Sequence, residues 1–238
     1  TCVQLREKQL ETSEYLREAI EMANDMNVDN PYQTIYIYIS DKVLDSDGDG
    51  KYDITDPTIN ITGGVNITCG GHLVIEGTVV SISYDENGER IITETEHNVT
   101  LTRNGSFNMF LINGHEVTFN NFEVNGGHVN RSHRFFMNYA TLNLNNMDIH
   151  GFDDGNGHAE RYGVVGQNFG TLNITDSYIH HNGNLKADGT NIDGTNYVYG
   201  IIYSTGAGTD LNVHNTEFYF NRTSNFGELY VVGGDLSV

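Results

Sequence analysis

Four ten-residue segments of the chain share one pattern, and this repetition constrains the fold more than any other feature of the sequence. Each segment reads apolar, polar, apolar, followed by two turn-forming residues and a further alternation. The segments are VTFNNFEVNG, LNLNNMDIHG, LNITDSYIHH and LNVHNTEFYF, which begin at positions 117, 142, 172 and 211, and LSV at position 236 starts a fifth. Alternation with period 2 is typical of strands with one buried face, so each segment predicts two short strands.

A third short strand is predicted after each segment, in FFMN (135–138), GVVGQ (163–167), GIIYS (200–204) and ELYVV (228–232). The starting positions 117, 142, 172, 211 and 236 are 25, 30, 39 and 25 residues apart, so the strands repeat while one connection changes in length. Three short strands per unit with a variable connection are typical of a parallel β-helix, in which each coil pairs with its neighbours. We therefore predict an all-β fold, a parallel β-helix (solenoid) over residues 33–238.

The turn between the first two strands has the same kind of residue in every unit, namely Asn121, Asn146, Asp176 and Asn215. Asn and Asp tolerate the left-handed backbone conformation of a tight bend, and an amide can both donate and accept hydrogen bonds. These side chains are expected to form a ladder from coil to coil.

Other elements are predicted at both ends and on one side of the repeats. TSEYLREAIEMAN (12–24) places Leu16, Ile20 and Ala23 on one stripe, which predicts a helix that caps the solenoid within an N-terminal region 1–32. QTIYIYIS (33–40) is the first strand, and alternation on both sides of Glu86-Asn87-Gly88 predicts a protruding hairpin near 79–96. Because Leu236-Ser237-Val238 opens another unit, we expect the chain to be a fragment of a longer protein.

Composition excludes some partners. With 12 Lys and Arg residues against 32 Asp and Glu residues the formal charge is −20, so nucleic acid and anionic membrane surfaces would be repelled. No run reaches the roughly 18 apolar residues of a membrane helix, so no membrane insertion is expected. Cys2 and Cys69 form either one disulfide or two buried thiols, and the sequence leaves both open.

The stretch LDSDGDGKYDITD (44–56) matches the spacing of a calcium-binding loop. Counted from Asp45, carboxylates occupy positions 1, 3, 5, 9 and 12, and Gly50 occupies position 6, where the loop turns sharply. Position 7 would contribute its backbone carbonyl. The predicted Ca²⁺ ligands are therefore Asp45, Asp47, Asp49, Lys51, Asp53 and Asp56, with a structural role at the entry to the solenoid; a solvated acidic loop is the alternative.

Outward positions of the second predicted strand form two columns. The first is Glu123, Asp148, Tyr178 and Glu217, and the second is Asn125, His150, His180 and Tyr219. These polar residues either solvate the face or contact a ligand. Stacked carboxylates also resemble those of polysaccharide lyases, but no pattern identifies a base among the basic residues of the loops, Arg131, Arg134, Arg161 and Lys186.

We expect the variable loops to share one edge of the coils; they are residues 126–134, 151–161, 182–198 and 221–226. Aromatic side chains near this edge could stack on sugar rings, namely Phe152, Tyr178, Tyr197, Tyr199 and Tyr219. One loop, FDDGNGHAER (152–161), contains Asp153, Asp154 and His158. It resembles elements of pectin-hydrolysing β-helices, but in those enzymes the elements come from successive coils. No catalytic residue is therefore predicted, and a zinc site at His150, His158, His180 and His181 is a weak alternative.

Two segments resemble known surface proteins. YLREAIEMAN, with Leu16 to Ile20, resembles the Cys-Ser-Leu-Arg-Glu-Ala entry motif of extracellular β-helix proteins, although Tyr15 stands in place of Ser. YGIIYSTGAGTDLNVHNTEFYFNRTS (199–224) is similar to the repeat of adhesin-like proteins of archaea and bacteria, a resemblance that covers about residues 97–238. The resemblance implies a right-handed parallel β-helix and attachment to the cell surface, but no particular ligand.

The sequence thus leads to an expected function and two alternatives. We expect an extracellular, calcium-stabilised adhesin-like segment that binds glycans or proteins of another cell. A calcium-dependent polysaccharide lyase or glycosidase and a passive surface stalk are the alternatives. The candidate ligand-binding residues are Glu123, Asp148, His150, Tyr178, His180, Tyr219, Asp153, Asp154 and His158.

Overall fold

The fold is all-β with a single helix in the described part of the chain. It was obtained as a computed structural model, which describes residues 12–26, 32–41, 57–128, 133–153, 161–183, 198–224 and 226–238. The predicted calcium loop, Cys2, Asp154, His158 and Tyr197 lie outside these residues. The described residues form one helix, α1 (Thr12–Met26), and 22 strands, which make up three large sheets and one small one.

Parallel pairing joins the strands of each large sheet, and the sheets are named here in the order in which the chain enters them. The first contains β1 (Thr34–Ser40), β4 (His72–Tyr84), β8 (Glu116–Asn120), β11 (Thr141–Asn145), β15 (Thr171–Thr175), β19 (Asp210–His214) and β22 (Asp235–Ser237). The second contains β2 (Thr58–Ile61), β6 (Thr100–Arg103), β9 (Glu123–Asn125), β12 (Asp148–His150), β16 (Tyr178–His180) and β20 (Glu217–Tyr219). The third contains β3 (Val65–Ile67), β7 (Phe110–Ile112), β10 (Phe136–Asn138), β14 (Gly166–Asn168), β18 (Ile202–Thr205) and β21 (Leu229–Val232).

Two further pairings lie beside the large sheets. β13 (Arg161–Tyr162) pairs with β17 (Val198–Tyr199). β5 (Arg90–Asn98) pairs antiparallel with β4 and forms a hairpin. In its turn the Asp85 carboxylate accepts hydrogen bonds from the backbone N–H groups of Asn87 (2.9 Å) and Glu89 (2.7 Å), and Gly88 has a φ of 79°, where glycine is unstrained.

Residues at equivalent positions of the repeats lie opposite one another in the first sheet. Val117 is paired with Leu142, Leu142 with Leu172, and Leu172 with Leu211, and all four side chains are buried. The next inward positions, Phe119, Leu144, Ile174 and Val213, are also in register and buried. The predicted inward faces of these strands are confirmed.

Aromatic side chains fill the middle of the core. Phe110, Phe119 and Phe135 are fully buried and lie with ring centroids 5.0 to 5.8 Å apart in tilted and edge-on arrangements. Such arrangements bring the positive edge of one ring to the negative face of the next. Phe152 lies 6.3 Å from Phe135 and is also fully buried, so the expectation that Phe152 stacks on a ligand is wrong. After β12 the chain turns inward at this position instead of remaining on the surface.

The predicted ladder of turn residues is confirmed at two of its three steps. The described side chains of Asn146 and Asp176 are not hydrogen-bonded to each other, because the Asp176 carboxylate has no proton to donate to Asn146 Oδ1. Asn121, Asn146, Asp176 and Asn215 have φ values of 61°, 52°, 52° and 44°, the left-handed region that Asn and Asp tolerate. The side-chain amide of Asn146 donates to Asn121 Oδ1 (2.7 Å), and that of Asn215 donates to Asp176 Oδ1 (2.5 Å). Each of these bonds connects equivalent turns of two consecutive repeat units.

Helix α1 packs against β1, β2 and β3, which are the first strands of the three large sheets. Its apolar stripe, Leu16, Ala19, Ile20 and Ala23, is buried, as expected for an amphipathic helix. The Arg17 guanidinium donates to the carbonyls of Gly63 (2.8 Å) and Gly64 (3.0 Å), and thereby also fixes the helix to the turn before β3. Within the described residues, no helix is long and apolar enough to span a membrane.

Candidate ligand-binding face

The second sheet brings six of the candidate ligand-binding residues together on its outer face. In the first column Glu123 is paired with Asp148, Asp148 with Tyr178, and Tyr178 with Glu217. In the second column Asn125 is paired with His150, and His180 with Tyr219. The inward neighbours Val124, Ile149 and Ile179 are fully buried, which fixes the two columns on the outside. We call these eight residues, Glu123, Asn125, Asp148, His150, Tyr178, His180, Glu217 and Tyr219, the outer face.

Each histidine of the outer face donates a hydrogen bond to a carboxylate of the preceding repeat unit. His150 Nε2 lies 2.8 Å from Glu123 Oε1, and His180 Nε2 lies 2.7 Å from Asp148 Oδ1. Because a carboxylate only accepts, Nε2 carries the proton in both rings. The side chains of Glu123 and Asp148 are still 44% and 49% exposed, so part of each carboxylate is accessible to a ligand.

Rings stack along the second column. His150 and His180 have centroids 5.3 Å apart and nearly parallel planes, and His180 stacks on Tyr219 at 4.7 Å. Burial, together with the negative charges of Asp148 and Glu217, raises the pKa of the Tyr219 phenol, so this group remains a neutral hydrogen-bond donor. Tyr178 stands in the first column and is 47% exposed.

Beside the second column, His181 extends the hydrogen-bonded chain of side chains. Its Nδ1 lies 2.7 Å from Nδ1 of His180. Burial and the neighbouring imidazoles of His180, His150 and His128 lower the pKa of His181, so the ring is neutral at pH 7. Sequence reasoning considered His181 only as part of a weak zinc alternative. Within the described residues, no three His, Cys, Asp or Glu side chains form a metal-ligand group.

Shortly after β12, Asp153 lies in the interior instead of on the loop surface. It is 3% exposed, and its Oδ2 accepts a hydrogen bond of 2.5 Å from His128 Nδ1, while Oδ1 has no hydrogen-bond partner in the described part of the chain. Burial raises the pKa of Asp153 to about 6, against the opposing effects of the hydrogen bond from His128 and of the positive charge of Arg103.

Arg103 is a buried cation that sequence reasoning missed. Its Nε donates to the Gly126 carbonyl (2.9 Å), Nη1 donates to the His133 carbonyl, and the guanidinium lies 5.0 Å from the centre of the Phe152 ring. Burial lowers the pKa of Arg103 to about 10, so it remains charged at neutral pH. The sequence contained a signal for the burial of Arg103: the alternation that begins at Leu101 places Arg103 at an inward position of β6.

The remaining candidates are less suited to binding or catalysis. Nε of Arg134 donates to the carbonyls of Tyr162 (3.1 Å) and Gly163 (2.8 Å), so its guanidinium joins consecutive repeat units. Tyr199 stacks on Tyr162 with centroids 4.8 Å apart. This pair belongs to an aromatic group with Tyr203, Tyr230 and Phe226, away from the outer face. Cys69 is buried in the core.

Comparison of the chain with protein-family models, with curated proteins and with solved structures finds no match.

Proposed function

We propose that the three large sheets are the faces of a right-handed parallel β-helix and that α1 caps its N-terminal end. Three observations support this. From β1 onward the chain enters the first, second and third sheets in turn, strands within each sheet pair in parallel, and α1 packs on the first strand of each sheet. Crossovers between parallel strands of one sheet are right-handed in about 98% of cases.

We further propose that the chain is an adhesin-like segment of an extracellular cell-surface protein, and that its outer face binds glycans. The observation that carries this proposal is the grouping of half-exposed carboxylates, Glu123 and Asp148, beside the exposed ring of Tyr178. Carboxylates accept hydrogen bonds from sugar hydroxyls, and an aromatic ring packs on the apolar face of a sugar. The formal charge of −20 favours neutral or amino-bearing glycans over polyanions.

Calcium binding by residues 45–56 is part of this proposal. The loop sequence lies between β1 and β2, the first strands of the first and second sheets. A bound Ca²⁺ would neutralise the repulsion among five closely spaced aspartates and hold this end of the fold together.

The proposal is tested by glycan-array binding, followed by calorimetric titration of the glycans that bind. Tyr178→Ala and Glu123→Gln should each weaken binding by about tenfold, which corresponds to about 1.4 kcal/mol. Tyr139→Ala is the matched control, because Tyr139 is similarly exposed (49%) and is also packed on an aromatic ring, that of Phe169, but lies outside the outer face.

Two outcomes would overturn the proposal. The outer face does not carry the function if no glycan binds, or if Tyr139→Ala weakens binding as much as Tyr178→Ala does. If the protein released new reducing or unsaturated ends from a polysaccharide, it would be an enzyme and not only a glycan-binding protein.

A further inference from the structure

Two imidazole nitrogens converge at the edge of the outer face. Nδ1 of His180 and Nδ1 of His181 are 2.7 Å apart. The Nε2–H of His180 is donated to Asp148, so Nδ1 of a neutral His180 ring carries a lone pair. The hydrogen bond between the rings is then donated by the Nδ1–H of His181, and its proton lies between two potential metal ligands.

His180 already has the surroundings of a metal-ligating histidine. Such a histidine generally donates its other N–H to a carboxylate, which fixes the tautomer and makes the ligand nitrogen more basic. Asp148 occupies this position, 2.7 Å from His180 Nε2. The ring is also held between His150 and Tyr219, whose planes are each within 13° of its own. Nδ1 of His180 is therefore oriented before any metal binds.

We propose that His180 and His181 bind a divalent transition-metal ion through their Nδ1 atoms, with Cu²⁺ as the preferred ion and Asp148 as the supporting carboxylate. The ion takes the place of the shared proton. When both rings are neutral no proton leaves the protein, because the proton of His181 moves from Nδ1 to Nε2. The exposed ring of His181 turns to direct its lone pair at the ion.

The type of ligand and the coordination geometry favour one metal over the others. Two nitrogens at about 2.0 Å from a metal are about 2.8 Å apart at the 90° angle of square-planar coordination, and about 3.3 Å apart at the tetrahedral angle. The hydrogen-bonded distance of 2.7 Å is nearer to the first value, so the two nitrogens need to separate less for square-planar than for tetrahedral coordination. Square-planar nitrogen coordination is typical of Cu²⁺ and Ni²⁺, and Cu²⁺ binds nitrogen ligands more tightly than Zn²⁺ does.

Solvent completes the coordination in this proposal, since the described residues contain no group of three His, Cys, Asp or Glu side chains arranged for a metal. The inference does not depend on glycan binding. A chain that binds no glycan would still be expected to bind Cu²⁺ at His180 and His181.

The test is titration of the full chain with Cu²⁺ at pH 7.5, followed by calorimetry and by electron paramagnetic resonance. Excess Ca²⁺ is present to occupy the acidic loop. We expect a spectrum with two nitrogen ligands, which is lost in His180→Gln and in His181→Gln. Asp148→Asn should weaken binding by about tenfold or more. His214→Gln is the matched control, because His214 is an exposed histidine on β19 of another sheet.

A second readout keeps the test independent of stability. With diamagnetic Zn²⁺ at higher concentration, nuclear magnetic resonance should show the proton of His181 on Nε2 instead of Nδ1. The proposal is refuted if the two-nitrogen spectrum persists in His180→Gln or His181→Gln, if His214→Gln also abolishes it, or if Zn²⁺ binds more tightly than Cu²⁺.

Discussion

Replacing Asp153 by Asn should make the protein's stability less sensitive to pH. Burial raises the pKa of Asp153 from its ordinary value of 3.8 to about 6 in the folded protein. The folded state therefore binds a proton more tightly than the unfolded state does. The resulting stabilisation is fully present below pH 3.8 and is lost as the pH rises through about 6.

The size of this effect follows from the two pKa values. Each unit of pKa difference corresponds to about 1.36 kcal/mol, so the shift from 3.8 to about 6 corresponds to about 3 kcal/mol. The side-chain amide introduced by Asp153→Asn is neutral at every pH. The free energy of unfolding of this variant, relative to that of the wild type, should therefore rise by about 2 to 3 kcal/mol between pH 4 and pH 7.

The measurement is urea unfolding at several pH values, followed by circular dichroism or by the fluorescence of the 14 tyrosines. Glu94→Gln is the control for the loss of one negative charge, because Glu94 is exposed on β5. A difference between wild type and Asp153→Asn that is constant from pH 4 to pH 7, or that is matched by Glu94→Gln, would refute the assignment to burial.

Three further predictions concern the ladder, the core and the acidic loop. Asn146→Gly should lower the free energy of unfolding by about 1 kcal/mol, because the hydrogen bond of the Asn146 side-chain amide is lost. Asn146→Ala should lower it by about 1 to 2 kcal/mol more, because alanine is strained at a φ of 52°. Phe135→Ala should cost about 3 to 5 kcal/mol, because the ring is fully buried. A calcium chelator should lower Tm, and Asp47→Asn should remove most of this calcium dependence.

Each of these predictions has an outcome that contradicts it. Equal stability of Asn146→Gly and Asn146→Ala in urea unfolding would exclude backbone strain as the cause. A loss below about 1 kcal/mol for Phe135→Ala would mean that the core closes around the missing ring. If Tm is the same with and without chelator, the acidic loop is solvated and does not bind structural calcium.

Repetition made much of this fold predictable from the sequence. Leu142, Leu172 and Leu211 are the same residue at the same point of each unit, and the alternation around them determines which side chains face inward. The outer columns follow from the same rule, since the residues between the inward ones must face out. Asn146 and Asp176 were predictable as ladder members because few other residues tolerate their backbone conformation.

The polar contacts of the site could not be predicted in the same way. His150 and His180 bond to carboxylates of the preceding repeat unit that lie two residues before the directly opposite position. Periodicity alone does not specify whether such side chains bond straight across or diagonally. Asp153 lies in a segment that reads as a polar loop, and it interacts with Arg103 and His128 from two other repeat units. Those contacts depend on connections whose course the repeat pattern does not determine.

The ladder of turn residues also indicates where this chain can be altered without harm. Asn121, Asn146, Asp176 and Asn215 keep the same conformation although they are 25, 30 and 39 residues apart in sequence. The differences in length fall between the strands of the second sheet and those of the third, as from His150 to Gly166 and from His180 to Ile202. A foreign peptide inserted between Asp153 and β13, or between Gly183 and β17, would leave the described strand pairings and the buried Phe152 in place. The chain is thus suited to display such peptides.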